Sequence, residues 1–374
     1  MSVLRKQSWL LVGCGLALGA AACSNGEKGA ATGPGNVTLS DPANTKAQLQ
    51  AVAAPFTTPA FESFAGLSFY FIPTTTTPGV ASLIQATLPR GPTADAQPYA
   101  RSVLQGRALA KALLANPIAA SIFPPTVLGT TYTWNASSFS YQASSLTGAP
   151  SNGVRFIIYT LSGGLPASPL DPIGYVDITD ASTLDATILG VKLVGTTGPS
   201  PVTFADYTIS GSFSATSFNA ALAGYVSDGT TRVDFSIIYG GTETTFSYET
   251  TIDIASAGVH IAFNVGGNYG TTTETIDEDF TIAIGAEELE YTGHFTALLE
   301  SPYTVTGTGD VKLNGQRLAS WEYGSSGLSI TYVRDLTPAE QDAITQVSLA
   351  AVDILVAVGE LSYPALFFLF LGGV

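Results

Sequence analysis

The chain has 374 residues, with 14 Lys and Arg against 29 Asp and Glu, a formal net charge of −15. So acidic a body is repelled by phosphate backbones and anionic lipid surfaces, which argues against nucleic acid as a partner. With charged residues at 11 %, aromatics at 10 % and only two cysteines, a large apolar core rather than a disulfide framework must hold it, and the composition fits an extracytoplasmic β protein of one large or two ordinary domains.

The first residues, "MSVLRKQSWLLVG", put Arg5 and Lys6 ahead of an apolar run from Trp9 to Ala22. That order is a secretory leader, too short to span a bilayer. The run ends in small residues and a cysteine, "GAAAC", and then turns polar. This stretch resembles the lipobox of bacterial lipoproteins, with Ala20 standing where leucine is usual. The resemblance covers the leader and Cys23 alone. It implies that the Cys23 thiol is acylated with a diacylglycerol, that residues 1–22 are removed and that the new amino terminus takes a third chain. Ser24, rather than Asp, resembles the outer-membrane sorting signal of diderm members. The alternative is an ordinary leader cleaved after Ala22, leaving Cys23 as a free thiol. Because Cys14 lies inside the leader, that outcome leaves one exposed cysteine unpaired, which is unusual for a secreted protein. Residues 23–40 are rich in Gly, Ala, Ser, Thr and Asn and read as a flexible tether.

Residues 41–124 read as a helical and loop packing region. "PANTKAQLQAVA" from Pro42 to Ala53 predicts a short helix, with Ser40 or Asp41 as cap and Pro42 in the first turn. "TPAFESFAGLSFYFIP" concentrates aromatics and is expected to pack on the core, while "TTTTPGV" and "LPRGPTADAQP" are loops. "PYARSVLQGRALAKALLANP" predicts a helix with Tyr99, Val103, Ala110 and Leu113 on one face and Pro117 at its end.

Residues 125–335 carry the β texture. "LGTTYTW", "FSYQA", "VRFIIYTL", "IGYVDIT" and "ILGVKLV" are short strand candidates. From Val202 to Val333 the alternation is more regular. Apolar residues recur at every second position in Tyr207–Ile209–Gly211–Phe213, Val233–Phe235–Ile237–Tyr239, Val259–Ile261–Phe263–Val265 and Phe280–Ile282–Ile284. The same spacing joins Phe246 to Tyr248, Ile252 to Ile254 and Leu289 to Tyr291, with Phe295 in phase with the last pair. Period-2 alternation builds an antiparallel sheet with one apolar and one polar face. Asp228–Gly229, Gly240–Gly241 and Asn314–Gly315 read as tight hairpin turns, giving a meander of about ten strands.

Residues 336–374 form an apolar helix and tail. Thr337, Pro338 and Glu340 make a capping box, and beyond Val347 the helix is apolar all round, with Ile354 and Leu355 expected in the core. An all-round apolar helix needs a container and the apolar sheet face needs a cover. The expected fold is therefore mainly β, a large antiparallel meander curved into a barrel or half-barrel around the buried carboxy-terminal helix, with a few amino-terminal helices.

No G-x-S-x-G, H-E-x-x-H, P-loop or G-x-G-x-x-G pattern is present. His260 and His294 fall on the polar face with no third ligand at a recognisable spacing, and nothing calls for a metal or cofactor. "IDEDF" (Asp277, Glu278, Asp279) and "GAEELEY" (Glu287, Glu288, Glu290) lack calcium-loop spacing; alternation turns Glu278 away from its two neighbours. The aromatic stripe Tyr207, Phe213, Phe235, Phe246, Phe263, Phe280 and Phe295 reads as core, or as the lining of a hydrophobic cavity. The expected function is non-enzymatic: an envelope-anchored lipoprotein, structural or binding, whose partner is the membrane through its lipid. Three other readings stand beside it. One is a carrier of a lipid or similar hydrophobic small molecule, resembling half-barrel lipoprotein carriers in general design; the others are an outer-membrane barrel and a secreted hydrolase using carboxylates.

Overall fold

The structure, a computed structural model, describes residues 54–70 and 123–334 apart from 184, 185, 215 and 302, together with 336, 337, 340–342, 344–347 and 358. The leader, Cys23, the tether, the helices expected over 42–53 and 98–117, and Ile354 and Leu355 lie outside the described residues.

The aromatic segment after Thr58 is a helix, α1 (Pro59–Tyr70), entered through a 3₁₀ turn over Ala54–Thr57. Proline is suited to a first helical position, and the Thr58 hydroxyl accepts a bond from the Phe61 amide at 3.2 Å. Ala60, Phe61, Phe64 and Leu67 are buried at helical spacing, and Phe61 meets Phe56 edge to face at 5.4 Å.

The strands follow in chain order: β1 (Thr130–Asn135), β2 (Ser140–Ser144), β3 (Gly153–Tyr159), β4 (Leu161–Ser162), β5 (Leu165–Pro166), β6 (Pro172–Asp180), β7 (Thr187–Gly195), β8 (Val202–Phe213) and β9 (Ser217–Ser227). They continue with β10 (Arg232–Thr242), β11 (Thr245–Ile254), β12 (Val259–Tyr269), β13 (Thr273–Ile284), β14 (Glu287–Leu298), β15 (Thr304–Leu313), β16 (Gln316–Gly324) and β17 (Gly327–Tyr332). Fifteen of them form one sheet in the order β17 down to β6 without interruption, then β3, β1 and β2; β4 and β5 pair separately.

This order corrects the expected barrel or half-barrel. β2 and β17 stand at opposite ends of the order, so the sheet is open and does not close into a barrel. The outer-membrane barrel reading falls with closure, since such a barrel has no edges. The physical reason is size: a closed barrel of this many strands encloses a wide lumen, far more than one helix fills. Nor is the sheet wholly antiparallel. β1 pairs with β3 in parallel, Tyr132 opposite Phe156, before the meander begins. No helix among the described residues is long and apolar enough to cross a membrane.

The described residues fall into two compact units, one holding α1 and the sheet as far as Ile238, the other running from Tyr239 through β17 into the carboxy-terminal helix. In the first, α1 packs against β3, β6 and β7. A register shift between Ile158 and Tyr159 frees a backbone donor there, and the Tyr159 amide donates to the Ser63 hydroxyl at 3.2 Å. In the second, alternation sorts each strand as the sequence predicts: Val259, Ile261, Phe263 and Val265 of β12 are buried, while His260 and Asn264 face out.

Turn chemistry agrees at one of the three expected hairpins. Asn314 and Gly315 take φ of 50° and 73° between β15 and β16, the positive pair that such a two-residue turn requires. Asp228 opens a longer connection over residues 228–231, its carboxylate accepting from the amides of Thr230 and Thr231 at 2.8 and 2.7 Å. Gly240 and Gly241 are not a turn but lie inside β10. The chain reverses at Glu243 and Thr244 instead, where the Thr242 hydroxyl accepts from the amides of Thr244 and Thr245, both at 3.1 Å. At the carboxy-terminal helix the capping box forms, and Val347 and Val358 are buried.

Candidate functional site

The aromatic stripe divides between the two units. In the first, Tyr207 and Phe235 meet at 5.7 Å and both are buried; the side chain of Phe213 is outside the described residues. In the second, a ladder of rings crosses adjacent strands, Tyr239 to Tyr248 at 4.9 Å, Tyr248 to Phe263 at 5.9 Å, Phe263 to Phe280 at 5.9 Å and Phe280 to Tyr291 at 5.8 Å. Register explains it, since Phe263, Phe280 and Tyr291 are direct cross-strand partners.

Beside the ladder, glycines replace side chains and rings lie down on them. Phe246 covers Gly267 and stacks on Tyr269 at 5.0 Å; Phe295 covers Gly307. Gly293, Gly309 and Trp321 are successive partners on β14, β15 and β16; the Trp321 indole lies back across both glycines, and the Phe295 ring shares the space over Gly293 with it. A Cβ added at Gly309 would stand 2.5 Å from two indole atoms, so a side chain there and the flat indole exclude each other. Phe295 and Trp321 meet at 5.2 Å with planes 34° apart.

Glu278 sits at the end of that row, opposite Val265 on one side and Gly293 on the other. It therefore faces the apolar side of the sheet, as its parity between Asp277 and Asp279 requires. It is crowded by this face yet still reached by solvent, and it has no hydrogen-bond or ion-pair partner among the described residues. Desolvation pushes its carboxyl up to about 7. Glu274, four residues earlier on the same face, is buried more deeply. The sequence reads the stripe as core, or as the lining of a cavity; the parity that turns Glu278 inward is legible there, but not the glycine row beside it.

The other candidates are on the polar face. The His260 ring nitrogen Nδ1 lies 2.7 Å from Asp253, and that of His294 lies 2.6 Å from Asp277, each a cross-strand pair with side chains roughly half exposed. No group of three His, Cys, Asp or Glu side chains arranged to hold a metal occurs among the described residues. Of the second acidic segment, Glu290 accepts a charged bond from Lys312 at 2.6 Å and the Glu288 amide donates to Asn314 at 2.8 Å, tying the β15–β16 turn to β14. Comparison of the chain with protein-family models, curated proteins and solved structures returns no match.

Proposed function

We propose that this is an envelope protein, tethered to the outer membrane of a diderm cell by lipid on Cys23, whose sheet domain binds rather than transforms its target. The observation that carries the reading is the single cysteine left after the leader, placed directly behind "GAA" at the end of an apolar run. Two or more acyl chains on that residue hold a protein stably to a bilayer. The test is expression in a diderm host with and without Cys23→Ser. The parent chain is expected in the membrane fraction with an acylated amino-terminal peptide by mass spectrometry, and the variant in the soluble fraction without it. Equal, non-acylated membrane binding by both chains rejects the anchor.

A second reading, favoured by Glu278, is that the apolar face of the carboxy-terminal unit receives a hydrophobic small molecule. A face serving only as core gains nothing from an unpartnered carboxyl. Organic extraction of the purified protein followed by mass spectrometry tests it: a stoichiometric co-purifying amphiphile supports the reading.

A further inference from the structure

We propose that β2, the free edge of the sheet in the first unit, is a self-association surface: two copies of the chain pair their β2 strands antiparallel about a two-fold axis at Gln142, joining their sheets edge to edge. This surface is independent of Glu278 and of the ligand reading above.

β2 ends the strand order, paired on one side with β1 and, among the described residues, with nothing on the other. Gln142 and Ala143 point to opposite faces of the sheet and both are exposed, so neither face is covered there. An outer row of unpaired amides and carbonyls is a template for a further strand, and proteins ordinarily guard it with Lys, Pro or a bulge. β2 has none of these, and its pairing with β1 runs without a register shift. Its two long side chains are folded back from the rim. The Tyr141 hydroxyl donates to the Ile157 carbonyl at 3.0 Å, and the Gln142 carboxamide accepts from Asn135 at 2.8 Å and donates to Ser138 at 3.1 Å. What remains is Ser140, Ala143 and Ser144, small enough for a second strand to approach.

Two observations point to another copy as that strand. The first is charge. A body at −15 repels its own copies, yet no Lys, Arg, His, Asp or Glu stands between Lys111 and Arg155, the run that contains β1 and β2. The second is register. Phe139 at 63 % and Leu146 at 53 % are the most exposed large apolar side chains among the described residues, and they stand just beyond the two ends of β2. Pairing about Gln142 sets Ser140 against Ser144 and Tyr141 against Ala143, and brings Phe139 of one copy beside Leu146 of the other at both ends of the joint. Such an isologous contact is self-complementary and closes at two copies. On the far edge, β17, no large apolar side chain is exposed. Pairing of β2 in one copy with β17 in the next would be head to tail and would not close.

The test uses the full chain in a Cys14→Ser, Cys23→Ser background, which has no native thiol. Gln142→Cys puts one thiol at the two-fold axis, where directly opposed Cα atoms lie about 4.5–5.5 Å apart, within disulfide reach. Mild oxidation is expected to give a disulfide-linked dimer from Gln142→Cys and none from Ser329→Cys, an exposed position on β17. In sedimentation, the chain without added cysteine is expected to show a concentration-dependent monomer–dimer equilibrium. Ala143→Lys, a charge at an exposed edge position, is expected to weaken it about tenfold. A monomer at every concentration up to about 100 μM overturns the proposal, as does equal disulfide formation from the two cysteine variants. Assemblies that grow beyond two copies overturn the two-fold pairing in favour of head-to-tail contact between β2 and β17. If Ala143→Lys fails to fold, the comparison of the two cysteine variants still decides.

Discussion

Each unit of the molecule holds a carboxylate largely withdrawn from water, and the two are treated differently. On β6 of the first unit, Asp177 accepts two bonds from its cross-strand partner Arg155, at 2.6 and 2.7 Å, and the guanidinium lies 3.7 Å over the Tyr175 ring. That bond to Asp177 raises the Arg155 pKa. On β13 of the second unit, Glu278 has Val265 and Gly293 in the equivalent places. The same sheet geometry that puts a bidentate donor beside one carboxylate puts a methyl pair and a bare backbone beside the other. The first arrangement closes on itself and contributes to holding β3 to β6. The second has no hydrogen-bond or ion-pair partner among the described residues, and burial alone shifts its carboxyl.

The largest expected effect breaks this contrast at Glu278. Its carboxyl titrates at about 7 in the folded chain against an ordinary value of 4.5. Between those values the folded state holds a proton that the unfolded state has released. Stability therefore falls as pH rises from about 4.5 through about 7, and is flat above. Glu278→Gln removes the slope, so the variant is expected to be more stable than its parent by about 3 kcal/mol at pH 8 and equal to it at pH 4. Denaturant midpoints at the two pH values measure the difference. A variant less stable at pH 8 means that the carboxylate has a partner in the folded chain.

The complementary substitution, Asp177→Ala, leaves Arg155 charged, half withdrawn and unpaired. A fully buried pair broken this way costs about 3–5 kcal/mol, and partial exposure reduces the expectation to about 2 kcal/mol. Adding Arg155→Ala is expected to recover part of the loss, a coupling read from the double-mutant cycle. Independent, additive effects would mean that the pair is only a crystal-like contact of two exposed charges.

What the sequence reveals follows the range of the interaction. Alternation is local, so the inward side of β8 and of β10 to β14 is legible, including the odd placing of Glu278. Asn314–Gly315 is legible because few residues tolerate positive φ at both positions. Gly240–Gly241 misleads because the same composition suits an extended segment, and a threonine hydroxyl turns the chain instead. Thr58–Pro59 was a helix start hidden by the aromatics that follow it. The open ends of the sheet and the parallel β1–β3 pair depend on which distant strands meet, and no local pattern encodes that. The rings lying on Gly267, Gly307 and Gly309 belong to the same class, since each ring and its glycine come from different strands.

The smallest expected effect sharpens the comparison by reversing its sign. Glu340 is a carboxylate with every partner in place: Arg334 donates to it at 2.7 and 3.3 Å, and the Thr337 amide and hydroxyl at 2.8 and 2.9 Å. The Glu340 amide returns a bond to the Thr337 hydroxyl at 3.3 Å, closing the capping box at the start of the carboxy-terminal helix. Arg334 first, and Thr337 after it, hold the carboxyl down to about 2. Here the folded pKa lies below the ordinary value, so the stabilisation is present above about 4.5 and is lost as pH falls through about 2. Glu340→Gln keeps the shape and the acceptor for the Thr337 amide but removes the charge facing Arg334. Because the pair is partly exposed, the expected cost is about 1 kcal/mol at pH 7, vanishing near pH 2. Parent-minus-variant stability should therefore rise with pH for Glu340 and fall with pH for Glu278. A pH-independent cost at Glu340 would place its contribution in the helix cap alone and not in the ion pair.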